Sequence, residues 1–174
     1  MIIIIMGVAG SGKTRVGGLL AKDLDWPFFD GDDFHSQENI AKMSQGIPLT
    51  DQDRQTWLTS LERIIENLLA DGKSAVLACS ALKQAYRDQL RIDPQQILFF
   101  YLKADPSLVH HRLEQRQDHF MKPEMAESQF KTLEEPADAV VFDAEPAPEI
   151  IANQMITVIN GMTKAMDRQS KWVE

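Results

Sequence analysis

Read for the spacing of its apolar positions, the chain alternates short continuous apolar runs with longer segments of helical period. The runs are Ile2–Met6, Trp26–Phe29, Ala75–Cys79, Ile97–Leu102 and Ala139–Phe142, rich in β-branched and aromatic residues. Runs apolar at every position suit strands covered on both faces, the condition of a parallel sheet between helical layers. Between the first two, Val16, Leu19, Leu20 and Leu24 recur as one face of a helix over Lys13–Leu24. A longer stripe of Trp57, Leu58, Leu61, Ile64, Ile65, Leu68 and Leu69 predicts a helix from Asp53, read as its N-cap, to about Asp71, with Gly72 ending it. Further helices are predicted at Ser36–Ser44, Leu82–Arg91, Pro106–Arg116 and Pro148–Met166, with a polar segment at Glu124–Leu133. The expected architecture is α/β: a five-stranded parallel sheet with helices on both faces. No internal repeat or Pro/Gly/Ser-rich linker divides the 174 residues, so one domain over 1–174 is expected.

Composition narrows the partners. With 18 Lys and Arg against 26 Asp and Glu, the formal charge of −8 repels nucleic acid and anionic membranes. An anionic ligand must then be held by a local cluster of cations. Cys79, the one cysteine, cannot form an internal disulfide, which suits a reducing, cytoplasmic location. The opening apolar run is too short to span a bilayer, and no later run approaches that length.

Residues 7–14 read GVAGSGKT, a full Walker A match between a predicted buried strand and a predicted helix. Gly7, Gly10 and Gly12 allow the backbone N–H groups of Gly7, Val8, Ala9, Gly10, Ser11 and Gly12 to turn around one anion, and the next helix adds its positive N-terminal end. Lys13 can reach the β- and γ-phosphates of ATP, and the Thr14 hydroxyl can ligate Mg²⁺. A P-loop NTPase fold follows, although the motif alone does not separate kinases from GTPases, motors or switches.

Phe28 to His35 reads FFDGDDFH after the second predicted strand. Ligands of open parallel sheets bind beyond the carboxyl ends of strands, which puts these carboxylates beside the phosphate loop. If the extended backbone continues through Gly31, Asp30 and Asp32 project to one side and Asp33 to the other. One of the pair can position Mg²⁺ or its water and the other can accept a proton from an acceptor hydroxyl. Asp30 is placed with Thr14 as a metal oxygen, and both aspartates among the catalytic candidates. The competing reading is a solvated acidic turn or a helix cap.

After the third strand, CSALKQAYRDQLR at 79–91 sets Lys83 and Arg87 four apart, on one helical face where they can clamp a carboxylate, while Arg91 suits solvent. Cys79 suits a small core position. Arg112 and Arg116 share a later face, and the following QDHFMKPEM has few apolar anchors. A small mobile lid at about 117–134, with Arg116 as a catalytic cation, is expected. His110 and His111 suit exposed positions.

The chain resembles the thermoresistant type of the gluconokinase family, within the shikimate-kinase-like branch of P-loop kinases. The likeness is carried by GVAGSGKT, FFDGDDFH, NIAKMSQGIPLTDQDRQTWL at 39–58, CSALKQAYRDQLR, HFM at 119–121 and SQFKTLEEP at 128–136. It implies transfer from MgATP to the 6-hydroxyl of gluconate, giving 6-phosphogluconate, by a homodimer. It also implies that Asp30, Asp32, His35, Arg54, Lys83 and Arg87 form the gluconate and catalytic group. By the same likeness Arg112 packs on the adenine, Arg116 acts from the lid, and Gln129 and Glu134 shape the approach to the acceptor pocket. Two positions depart from the family: Ala9 where Ser is usual, and Asp118 where Gly usually precedes His-Phe. A kinase for shikimate or a nucleotide, and a nucleotide-dependent switch, are the rival readings.

Overall fold

A computed structural model describes residues 1–115 and 123–170, the side chains at 123–125 and 164–170 excepted. Its sheet has five parallel strands: β1 (Ile2–Met6), β2 (Phe28–Asp30), β3 (Ala75–Ala78), β4 (Ile97–Lys103) and β5 (Val140–Asp143), in the order β2-β3-β1-β4-β5. The five apolar runs all become strands, with ends shifted by a residue or two. The exception at the start is Trp26, which packs partly buried against the core ahead of β2.

The central strand explains why its sequence is apolar at every position. Ile2 to Met6 are all fully buried, and alternate residues feed different cores. Ile3 and Ile5 enter a cluster with Val16 and Leu20 of α1 (Lys13–Leu24), Val109 and Leu113 of α5 (Pro106–Glu114), and Ile151 and Met155 of α7 (Pro148–Ser170). Ile2, Ile4 and Met6 enter the opposite cluster with Trp57, Leu58, Leu61 and Ile65 of α3 (Asp51–Ala70), and Tyr86 and Leu90 of α4 (Gln84–Leu90). The remaining helices, α2 (Gln37–Ser44) and α6 (Pro123–Thr132), stand at the carboxyl end of the sheet with the phosphate loop.

Three local expectations are corrected. The backbone does not stay extended through Gly31: residues Gly31–Phe34 form a 3₁₀ turn capped by Asp30, whose side chain accepts from the Asp32 N–H. Asp32 therefore takes its direction from the turn and not from strand parity. The residue at 31 must be small because a Cβ there would lie 2.7 Å from the Ala78 carbonyl oxygen at the end of β3. The N-cap of α3 is Thr50, not Asp53: Thr50 Oγ1 accepts from the Asp53 N–H at 3.2 Å, and Asp53 Oδ2 accepts from the Thr50 N–H at 2.9 Å. This reciprocal box adds a turn to the front of the helix. Finally, α4 starts at Gln84 with Lys83 as its N-cap, so Lys83 and Arg87 do not share a helical face.

Candidate active site

β1 sits between β3 and β4, so the loop that leaves it opens at the point where connections diverge to either side of the sheet. Gly10 and Gly12 hold left-handed φ values of 81° and 104°, which bend this loop ahead of the N-terminus of α1. Lys13 Nζ donates to the Val8 carbonyl at 2.9 Å and so lies folded along the loop it serves. Thr14 Oγ1, one residue on, donates to Asp30 Oδ2 at 2.7 Å, while Asp30 Oδ1 accepts from the Asp32 N–H at 3.0 Å. One carboxylate thus joins the first turn of α1 to the acidic turn after β2.

A cleft opens at this junction, lined by Ala9 and Lys13 of the phosphate loop and by Asp32, His35, Arg54, Trp57 and Gln129 among others. The acidic turn and the anion-binding loop therefore face one space. Asp32 borders it, whereas Asp30 lies behind with both oxygens engaged and Asp33 is exposed to solvent. The floor is fixed by Trp57, whose buried Nε1 donates to the Gly31 carbonyl at 2.6 Å and whose ring stacks on His35 at a centroid distance of 4.6 Å. Burial, and then the nearby Arg54 charge, depress the His35 pKa from 6.5 to about 4. His35 is a neutral imidazole at physiological pH.

The cations divide into different roles. Arg54 lines the cleft with its side chain 14% exposed, and its Nη1 donates to the Leu49 carbonyl at 2.6 Å. Lys83 pairs with both oxygens of Asp51 at 2.7 Å, and Tyr86 donates its hydroxyl to the same carboxylate. These two donors hold the Asp51 carboxyl below its ordinary pKa. Arg54 and Lys83 both approach the Tyr86 ring, at 5.9 and 5.8 Å from its centroid, which places Lys83 one side chain away from the cleft wall. Arg87 is in the core at 1% exposure, donating to the Ala81 and Leu82 carbonyls and to Gln84 Oε1. It builds the turn between β3 and α4 and does not border the cleft. Lys83 and Arg87 therefore do not stand as a pair on the cleft: Arg54 borders it, and Lys83 lies behind across the Tyr86 ring.

A second cleft lies on the other side of the phosphate loop, lined by Gly10, Ser11, Gly12, Arg15, Arg112 and Pro146 among others. Arg112 spans it, with Nη1 donating to the Ser11 carbonyl at 2.9 Å and Nη2 to the Ala144 carbonyl at 2.8 Å. The loop thus divides two spaces, one rich in glycine backbone and one rich in acid–base side chains. Arg116, Asp118 and the HFM string lie outside the described residues; the described part of the expected lid is α6 and the residues just after it. Gln129 of α6 accepts from the Ala9 N–H at 2.7 Å, and Glu134 accepts from the Gln84 N–H at 2.7 Å. Cys79 is buried and its thiol is pushed up to about 12, chiefly by burial, as suits a packing residue.

Sequence spacing gave no hint of Trp57 and Asp51 as parts of the site. Trp57 belongs to the apolar stripe of α3, and its indole N–H and the ring that stacks on His35 distinguish it from a leucine there. Asp51 looks like one more acidic residue in a first helical turn. Among the described residues no group of three or more His, Cys, Asp or Glu is placed to hold a metal, and no described helix is long and apolar enough to cross a membrane.

Comparison with known proteins agrees with this arrangement. The shikimate kinase family matches residues 9–160. A probable gluconokinase of Rattus norvegicus is 46% identical over 154 residues, 78% of this chain and 83% of the relative. The thermoresistant gluconokinase of Escherichia coli K12 is 40% identical over 162 residues, 91% of this chain and 93% of the relative. The crystal structure of a gluconokinase from Sinorhizobium meliloti 1021 superposes with a TM-score of 0.85 at 37% identity, covering 97% of this chain and 96% of that one. Phosphate loop, acidic turn, cation wall and these likenesses place the chain in the gluconokinase family of shikimate-kinase-like P-loop kinases, as an ATP-dependent phosphotransferase.

Proposed function

We propose that the protein transfers the γ-phosphoryl group of MgATP to the 6-hydroxyl of D-gluconate, giving 6-phospho-D-gluconate and ADP. The observation that carries this reading is the single cleft bordered by Lys13 on one side and by Asp32, His35 and Arg54 on the other. A carboxylate that can take a hydroxyl proton and a partly buried cation, both facing the phosphate loop, suit an anionic acceptor alcohol. The gluconokinase relatives supply the acceptor's identity.

In this reading the nucleoside end lies in the cleft beside Arg112, and the phosphates run along the phosphate loop and the N-terminal end of α1 toward the side bordered by Ala9 and Lys13. Lys13 leaves the Val8 carbonyl for the β- and γ-phosphates. Thr14 Oγ1 and Asp30 Oδ2 are hard oxygens 2.7 Å apart, a donor set that fits Mg²⁺, which commonly takes one or two protein oxygens and completes its shell with phosphates and water. When bound, Mg²⁺ neutralises charge on the β- and γ-oxygens. Arg54, backed by Lys83, holds the carboxylate end of gluconate, and neutral His35 can hydrogen-bond a sugar hydroxyl. Asp32 orients the 6-hydroxyl and takes its proton as the oxygen bonds to the γ-phosphorus, while the bond to the bridging oxygen breaks and ADP leaves with that electron pair. Arg116 is assigned to the developing charge from the lid. The family resemblance further supports a homodimer of single-domain subunits, and the lone buried Cys79 suits a cytoplasmic location.

Coupled ADP release measured with and without gluconate tests the assignment. Wild type should show strong gluconate-dependent turnover, and Asp32→Asn should lower kcat by about two to four orders of magnitude, the usual range for a positioned general base. Equal rates with and without the acid would contradict it.

A further inference from the structure

Gln129 joins α6, the described helix of the expected lid, to the phosphate loop across 120 positions of sequence, its Oε1 accepting from the Ala9 N–H at 2.7 Å. The helix that carries it is anchored on both sides of this contact. Ala126 is buried and Phe130 packs against the same core as Val8, while beyond the helix Glu134 both donates its N–H to the Leu82 carbonyl at 2.9 Å and accepts from Gln84 N–H. Gln129 is therefore held in place by its element and is not a surface side chain that happens to reach the loop.

The position of the contact within the loop matters. Ala9 and Lys13 border the cleft that also holds Asp32 and Arg54, whereas Gly10, Ser11 and Gly12 border the cleft beside Arg112. Ala9 therefore stands at the acceptor-side end of the cradle, where the terminal phosphoryl group meets the hydroxyl. An amide carbonyl satisfies the loop N–H there without adding charge, which a carboxylate at the same place would do.

We propose that Gln129 is a positioning residue for the transferred phosphoryl group: it fixes the acceptor-side end of the phosphate loop through Ala9 and ties the shape of that end to the seating of α6. The inference rests on the assignment of this cleft to phosphoryl transfer, and it makes claims about ATP and ADP binding that can be read without gluconate. Loss of the contact should disturb the terminal phosphoryl group and leave the diphosphate alone.

Two variants test it, with binding of ADP and of a non-hydrolysable ATP analogue measured by calorimetry and turnover measured with gluconate. Gln129→Met keeps the volume and removes the acceptor. It should lower kcat about tenfold with ADP affinity within about twofold of wild type, the pattern of an interaction used after the nucleotide is bound. Gln129→Glu keeps an acceptor for Ala9 and adds a negative charge; it should weaken the ATP analogue about tenfold while ADP again stays within about twofold. If Gln129→Met does not fold, the Glu variant decides by its ATP-to-ADP ratio alone. Equal weakening of both nucleotides would show that the glutamine only supports the loop, and wild-type behaviour of both variants would show that it does not position anything; either result overturns the proposal. Failure of wild type to turn over with gluconate would instead strike the assignment of substrate, which the nucleotide-binding ratio does not use.

Discussion

His35 shows how one side chain at the cleft reports its surroundings. Its burial, and then the charge of Arg54, keep it neutral down to about pH 4, against 6.5 when exposed. Between those values the unfolded chain binds a proton that the folded one refuses, so the folded state loses stability as pH falls from 6.5 toward 4 and loses no more from this residue below that. In thermal melts across this window, wild type should lose ground relative to His35→Gln; a difference in Tm that is independent of pH would contradict the account. At the same scale, the residue types of the site were legible in the sequence while their directions were only partly so. Asp30 and Asp32 were recognisable as paired carboxylates, but the 3₁₀ turn, not the pleat, aims Asp32. Lys83 and Arg87 do not share a helical face, because the helix begins one residue after Lys83 and the Ala81 and Leu82 carbonyls capture Arg87 inside the core. A spacing of four residues carries no information about where a helix starts.

Elements then decide how firmly those residues are held. The acidic turn has no regular strand partner beyond Asp30, and its flank is secured by the hydrogen bond from Trp57 Nε1 to the Gly31 carbonyl. Trp57→Phe keeps an aromatic ring in the core but leaves that buried carbonyl without its donor, a loss of about 1–3 kcal/mol. Denaturant unfolding should show this destabilisation together with a lower kcat, because the turn that aims Asp32 loosens. A variant as stable and active as wild type would contradict the role given to α3. The existence of α3 was plain from its apolar stripe. Its first turn was not, because a helix of the same stripe can be capped at Thr50 or at Asp53, and the choice depends on the reciprocal bonds between them and on Lys42 and Asn39 of α2, which bond Asp53 at 2.6 and 2.7 Å.

On the scale of the whole molecule, the sheet order brings together groups that the chain separates widely. The loop after β1, the turn after β2, the front of α3 and the end of α6 meet at one end of the sheet because all strands are parallel and their carboxyl ends coincide. The continuous apolar runs announced such a sheet, and the Walker A string announced which end would bind phosphate. The contact of Gln129 with Ala9 and the bond of Thr14 to Asp30 depend on strand order and register, which local pattern does not encode. The central claim is that donor and acceptor meet in the cleft between Lys13 and Asp32. A crystal structure of the ternary complex with a non-hydrolysable ATP analogue and gluconate tests it most directly. The account predicts the 6-hydroxyl hydrogen-bonded to Asp32 and about 3–3.5 Å from the γ-phosphorus, with the carboxylate at Arg54. Gluconate bound outside this cleft, or turned with its carboxylate toward Lys13, would contradict it.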